Sequence, residues 1–233
     1  MTEGRHPVTA TPMRTAIARR MVQSKQQAPH FYVTTEVELD ALAAVVDGRD
    51  APGGSGERVT LTAYLIRAVA LALTRHPELN AVWAGEVLER WDAINIGVAI
   101  ALDDGLMAPA LLDCAGRDVD DIAAGLADLA ARTRAGRLRA AEMTEATFTL
   151  SNLGMFDVAQ FTAIITPPQV AILATGRAYE RPVVRDGQII VRRILSATLS
   201  ADHRALDGAA AARFLGTLKG LLEAPGGWAP GAA

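Results

Sequence analysis

Three observations predict an α+β fold for this chain of 233 residues. Segments with apolar residues three and four apart are interspersed with short runs rich in β-branched residues. Their order lacks the strict strand–helix–strand alternation of a doubly wound sheet. No internal repeat and no interior linker divides the chain, so one folded domain is expected over residues 11–225, with short tails at 1–10 and 226–233.

The elements follow in order. Met13, Ile17 and Met21, with Ala16 and Ala18, predict an amphipathic helix over Pro12–Gln27, ended by Ala28-Pro29. Phe31–Leu39 is rich in β-branched and aromatic residues and predicts a strand. Gly48–Gly56 is the most glycine-rich stretch; it lacks the Gly-Lys-Ser/Thr that holds phosphate, and reads as a surface loop. Leu61, Tyr64, Leu65, Ala68, Leu71 and Ala72 predict a helix that stops near His76-Pro77. Short strands are expected at Ala81–Trp83, Val87–Trp91 and Ala93–Leu102, then a helix at Asp118–Arg134. The last third predicts strands at Thr147–Ser151, Phe161–Ile165, Gln169–Thr175 and Ile189–Leu199, and a closing helix from Gly208 to Glu223.

Composition narrows the function classes. Lys and Arg number 23 against 26 Asp and Glu, a net charge of -3, which is not the signature of a chain that binds phosphate backbones or anionic membranes. A single cysteine, Cys114, allows no internal disulfide and no thiolate zinc cage, so a reduced cytoplasmic setting without structural metal is expected. No run approaches the roughly 18–20 apolar residues that span a bilayer, and the N-terminus lacks the apolar core of a secretory signal.

Of the four histidines, His6, His30 and His76 have contexts that favour structural roles. His203 stands in Ser200-Ala-Asp-His-Arg-Ala-Leu-Asp-Gly208, between an apolar strand and the last helix, where a side chain can face a cleft while the sheet holds its backbone. An imidazole there can accept a proton at neutral pH. Asp207 is the natural N-cap of the helix, and Gly208 is expected to permit a tight turn. Upstream, Thr147-Phe-Thr-Leu-Ser-Asn-Leu-Gly154 brings Ser151 and Asn152 to a strand end. There a hydroxyl can serve either as a turn former or as a donor to developing negative charge. No Gly-x-Ser-x-Gly elbow surrounds Ser151, which argues against a hydrolase nucleophile.

Together, Asp202-His203-Arg204 with Asp207-Gly208, Phe148–Gly154, Pro167–Leu173, Met13–Gln27, Pro29-His-Phe31 and His76–Ala81 resemble the catalytic domain of the dihydrolipoamide acyltransferase (E2) components of 2-oxoacid dehydrogenase complexes. The blocks run nearly the whole chain in family order. The resemblance implies a fold shared with chloramphenicol acetyltransferase: a mixed β-sheet flanked by helices, assembled as a homotrimer with active sites between subunits. It implies acyl-CoA as co-substrate with no bound cofactor, His203 as general base, and the neighbouring subunit's Ser151 as oxyanion donor. Asp207 would position the turn by pairing with Arg14, Arg19 or Arg20. Asn152, Ala201, Asp157 and His30 are expected near the substrates.

Three positions differ from the family pattern: Ala201 where an aromatic residue is usual, Asp157 for glycine and Thr166 for asparagine. The chain also has only about ten residues before its first helix and ends Gly-Gly-Trp-Ala-Pro-Gly-Ala-Ala, so a free trimer without a lipoyl group of its own is expected. These differences favour a stand-alone acetyltransferase of specialised metabolism, moving an acyl group from acetyl-CoA to a hydroxyl of a small metabolite, as in tetronate biosynthesis. The alternatives are an E2 core exchanging acyl groups between CoA and dihydrolipoamide on a lipoyl-bearing partner, and a non-catalytic trimeric scaffold.

Overall fold

The structure is a computed structural model that describes residue 4 and residues 6–50, 59–102 and 105–229. Helix α1 spans Pro12–Gln27, with the Thr11 hydroxyl accepting from the Arg14 N–H at 3.1 Å and Pro12 in the first turn. Strand β1 (His30–Glu38) follows, then α2 (Asp40–Asp50) and α3 (Leu61–Arg75). Strands β2 (Ala81–Ala84) and β3 (Val87–Arg90) form a hairpin. After it come β4 (Ile96–Val98), β5 (Ile100–Leu102), β6 (Gly105–Met107) and β7 (Ala110–Leu111). Helix α4 (Val119–Arg134), capped by Asp118, precedes α5 (Ala140–Thr144). The rest is β8 (Phe148–Asn152), β9 (Ala171–Thr175), β10 (Tyr179–Arg185), β11 (Gln188–Asp202) and α6 (Gly208–Glu223).

The main sheet runs β1-β11-β9-β8-β4-β7, with β10 hairpinned onto the outer half of β11. β8 is parallel to β4 and β9 and the other pairs are antiparallel, which makes the sheet mixed, as expected. β11 explains how it is covered. Leu195, Ala197, Leu199 and Ala201 alternate with Ser196, Thr198, Ser200 and Asp202, and all eight are buried. The apolar face packs with α3 and α6 into one core that holds Tyr64, Phe148, Phe214 and Leu218. The hydroxyl face is covered by the segment between β8 and β9. Gln160 donates to Thr34, whose hydroxyl meets that of Thr198 at 3.0 Å, and the Ser24 hydroxyl of α1 donates to the Ile165 carbonyl at 2.6 Å.

Several expectations change. Phe161–Ile165 is not a strand: it lies across the sheet and is fixed by side chains, the Ile165 N–H donating to His30 Nε2 at 3.1 Å. Helices α2 and α5 and strands β6, β7 and β10 were not expected. Gly48 lies inside α2, and residues 51–56 of the expected loop fall outside the described residues. Trp228 and Ala229, placed in a tail by sequence, pack on the core: the Trp228 indole donates to the Leu221 carbonyl at 3.0 Å and meets the Tyr64 ring edge-on. Gly176 is sterically obligatory, because a Cβ there would stand 2.1 Å from the Ala159 carbonyl oxygen.

Candidate active site

His203 is the first residue beyond β11 and is exposed in the single chain. Its N–H donates to the Pro29 carbonyl at 3.0 Å, and its ring rests on Phe31 of β1 with centroids 4.7 Å apart. Among the described residues neither ring nitrogen has a hydrogen-bond partner within the chain, so the imidazole is held by backbone and packing while its nitrogens stay available. The Asp202 carbonyl closes the turn by accepting from the N–H groups of Ala205 and Leu206, both at 3.0 Å.

Asp207 caps α6, accepting from the Ala210 N–H at 2.7 Å. Within one chain it has no arginine partner among the described residues, so the expected pair with Arg14, Arg19 or Arg20 does not form there. Arg20 instead donates to the Pro167 carbonyl at 2.9 Å. Arg14 and Arg20 line the cavity that holds Ser151. Gly208 is not forced by local sterics, since a Cβ there would meet nothing within 4 Å.

Ser151 sits near the end of β8 and opens onto a cavity of about 510 Å³. Met13, Ile17 and Met21 of α1, Met107 of β6 and Met143 of α5 wall it, with Arg14 and Arg20 at its margin. Thr149, on the same face of β8, donates to Gln169 Oε1 at 2.7 Å, and Gln169 donates in turn to the Ala146 carbonyl at 2.9 Å, which braces the serine strand.

The four expected substrate contacts have other placements. Asn152 is consumed internally, its amide donating to the Thr62 hydroxyl at 3.0 Å and accepting from the Gly154 N–H at 2.7 Å. Both nitrogens of His30 are occupied: Nδ1 lies 2.8 Å from the Ala28 carbonyl, and Nε2 accepts from Ile165. That arrangement fixes the Nδ1–H tautomer. Ala201 is fully buried on the apolar face and presents no surface to a ligand, a correction that follows from strand alternation. Asp157 points outward and pairs with Arg177 at 2.8 Å.

The sheet register separates the two central residues. Ser151 is in row with Ala174 and Thr198, and His203 lies five residues beyond Thr198. Two strand spacings across and five residues along the sheet put the two backbones roughly 15–20 Å apart. Neither side chain can span that gap, so Ser151 and His203 of one chain do not meet.

This mixed sheet, with helices on its apolar face and the last strand running through a histidine turn into the last helix, defines the chain as a protein of the chloramphenicol acetyltransferase fold. A solved chloramphenicol acetyltransferase shares that fold, with a TM-score of 0.56 at 15% identity. More narrowly, the chain belongs to the family described as 2-oxoacid dehydrogenases acyltransferase (catalytic domain), which matches residues 2–229. The pyruvate dehydrogenase acetyltransferase component of Rickettsia bellii is 34% identical over 215 residues, 91% of this chain and 51% of that protein. The lipoamide acyltransferase component of the branched-chain complex of Pseudomonas aeruginosa is 38% identical over 229 residues, 95% of this chain and 53% of that protein. The chain thus spans about half the length of these relatives.

Among solved structures, a probable dihydrolipoamide acetyltransferase from Listeria monocytogenes superposes with a TM-score of 0.89 at 36% identity, covering 94% of this chain and 95% of that one. The Azotobacter vinelandii dihydrolipoamide acetyltransferase, with a TM-score of 0.88 at 32% identity over 94% of this chain and 91% of its own, was solved to investigate the role of a serine, a histidine and an asparagine in its catalytic mechanism. Those residues are spaced in sequence as Ser151, His203 and Asp207 are here.

The stand-alone hydroxyl acetyltransferase expected from the sequence is therefore corrected. The relatives are components of dehydrogenase complexes, and the three departures do not carry the distinction. Ala201 is in the core and Asp157 is at the surface; only Thr166 reaches the cavity wall.

Proposed function

We propose that the chain exchanges acyl groups between coenzyme A and the dihydrolipoyl group of a lipoyl-bearing domain or partner, as a homotrimer whose sites lie between subunits. The separation of Ser151 from His203 carries this reading: each chain offers a histidine on one side and a serine on another, and only a neighbouring copy can bring the two onto one thioester. The apolar, methionine-walled cavity at Ser151 suits a long flexible thiol arm, because thioethers adapt their shape without polar demand.

Both acyl carriers end in thiols, which titrate near 8.5, so the one that attacks needs only modest help to ionise. His203 takes the proton from the attacking thiol, and the sulfur adds to the thioester carbonyl carbon. The oxyanion that forms accepts a hydrogen bond from the Ser151 hydroxyl of the adjacent subunit. Collapse of the tetrahedral species expels the other sulfur, which recovers the proton from the imidazolium. No acyl-enzyme forms.

The test is transfer from acetyl-CoA to dihydrolipoamide by the purified chain. Turnover that disappears in His203→Ala, with the assembly intact by sedimentation, supports the proposal. Absence of transfer by the unaltered chain, or full turnover in His203→Ala, overturns it.

A further inference from the structure

We propose that Arg204 is a positioning residue for His203 and that Trp83 holds Arg204 in that role; this rests on the reading of His203 as the base. Asp202, the last residue of β11, is 1% exposed. Its Oδ1 accepts from the Arg204 backbone N–H at 3.0 Å and from Nε at 3.0 Å, while Oδ2 accepts from Nη2 at 2.6 Å. The residues on either side of His203 are thus tied through both backbone and side chain, and the His203 N–H is fixed to Pro29. With both flanking peptide units held, the imidazole projects from a backbone with little freedom to turn.

The guanidinium plane is itself covered. Trp83 of the β2–β3 hairpin lies over it, 4.9 Å from guanidinium carbon to ring centroid. The Trp83 N–H donates to the Pro168 carbonyl at 3.0 Å, and Val82 bridges to Gln169. Gln169 is also the residue that braces Thr149, two positions before Ser151. One segment, Pro168–Gln169, therefore supports the histidine clamp on one side and the serine strand on the other. Only arginine fits the clamp: its planar fork matches a carboxylate and stacks on an indole, whereas a lysine supplies the charge without either geometry.

A purely structural Arg204 would do no more than neutralise buried Asp202, and Arg204→Lys would then keep full turnover. A positioning Arg204 predicts a loss in kcat instead, because a small misplacement of the base affects the reacting geometry rather than substrate binding. In the assay above, Arg204→Lys and Trp83→Ala are expected to lower kcat by roughly 10- to 100-fold with both KM values within about twofold. Trp83→Phe, which keeps an aromatic face, should recover most of the turnover. The double variant should lose little more than the worse single one, since both act through one clamp. Wild-type kcat in folded Arg204→Lys and Trp83→Ala, or losses confined to KM, overturns the proposal. Where Trp83→Ala does not fold, Arg204→Lys decides alone. Failure of the clamp with His203→Ala inactive leaves the base assignment standing, whereas an active His203→Ala removes both.

Discussion

Ser151 lies in the sheet row that passes through Ala174 to Thr198, and His203 stands five residues past Thr198 at the other end of β11, so the two side chains of one chain face different volumes. A site built from both must cross a subunit boundary. This predicts complementation: His203→Ala and Ser151→Ala, each crippled alone, should regain activity when denatured together and refolded as mixed trimers. With equal amounts, about a quarter of the interfaces pair an intact histidine with an intact serine. Recovery near that fraction in the acyl-transfer assay is expected; no recovery would place both residues in one subunit's site. Ser151→Ala alone should lose on the order of 100- to 1,000-fold in kcat, the effect of removing an oxyanion donor.

Asp207 acts through its cap on Ala210, not through an ion pair within its chain. Asparagine caps a helix as well as aspartate does. Asp207→Asn should therefore keep thermal stability and most of the turnover, while Asp207→Ala costs about 1 kcal/mol and loosens the turn that carries His203. Thermal melts and kcat on both variants check this. Equal damage by asparagine and alanine would show that the charge, not the cap, is what the site needs.

Helices α1, α4 and α6 were legible because each announces its start: Thr11-Pro12, Asp118 and Asp207 cap what the apolar spacing predicts. The His203 turn and the Ser151 strand end were legible for the same local reason. Strand β10 shows no apolar alternation, since Pro182 and the charges of Glu180, Arg181 and Arg185 interrupt it, and Asp186-Gly187, with φ of 51° and 76°, is the local signal of its hairpin. Ala201 was readable too: the alternation of Ser196, Thr198, Ser200 and Asp202 puts it on the core face. Asn152 was not, since its partner Thr62 is 90 residues away, and no local pattern reports such a bond. The acceptor class is not legible in Ala201, Asp157 and Thr166, because what each can do depends on its place in the fold: the first is in the core, the second at the surface and only the third at the cavity wall.

Cys114 should be inert. It is fully buried, its Sγ donates to the Leu111 carbonyl at 3.1 Å, and burial pushes its thiol up to about 11. At pH 8 the thiolate is a small fraction, and the sulfur is sealed from reagent. A disulfide reagent should leave the native protein unmodified over hours and react with one equivalent in denaturant. Rapid native modification would mean that the loop before α4 opens readily.

Glu142 gives the clearest pH dependence of stability. It is 5% exposed, and Arg132 of α4 grips it with two bonds of 2.5 and 2.7 Å, while the Arg139 N–H donates a third at 2.8 Å. The hydrogen bonds from Arg132 hold its carboxyl below the usual carboxylate range, outweighing the opposing effect of burial. A carboxyl depressed in the folded state contributes stability above its unfolded value, about 4.3, and loses that contribution as the pH falls through the folded value. Glu142→Gln should thus lower the urea midpoint at pH 7, and the gap to the unaltered chain should narrow as the pH is taken below about 4, where unfolded glutamate is itself protonated. Since α5 leads directly into β8, the same variant should also raise hydrogen exchange at Phe148–Leu150 at neutral pH. A gap in the urea midpoint that is constant from pH 7 to about pH 3 would assign the loss to packing and not to the charge held by Arg132.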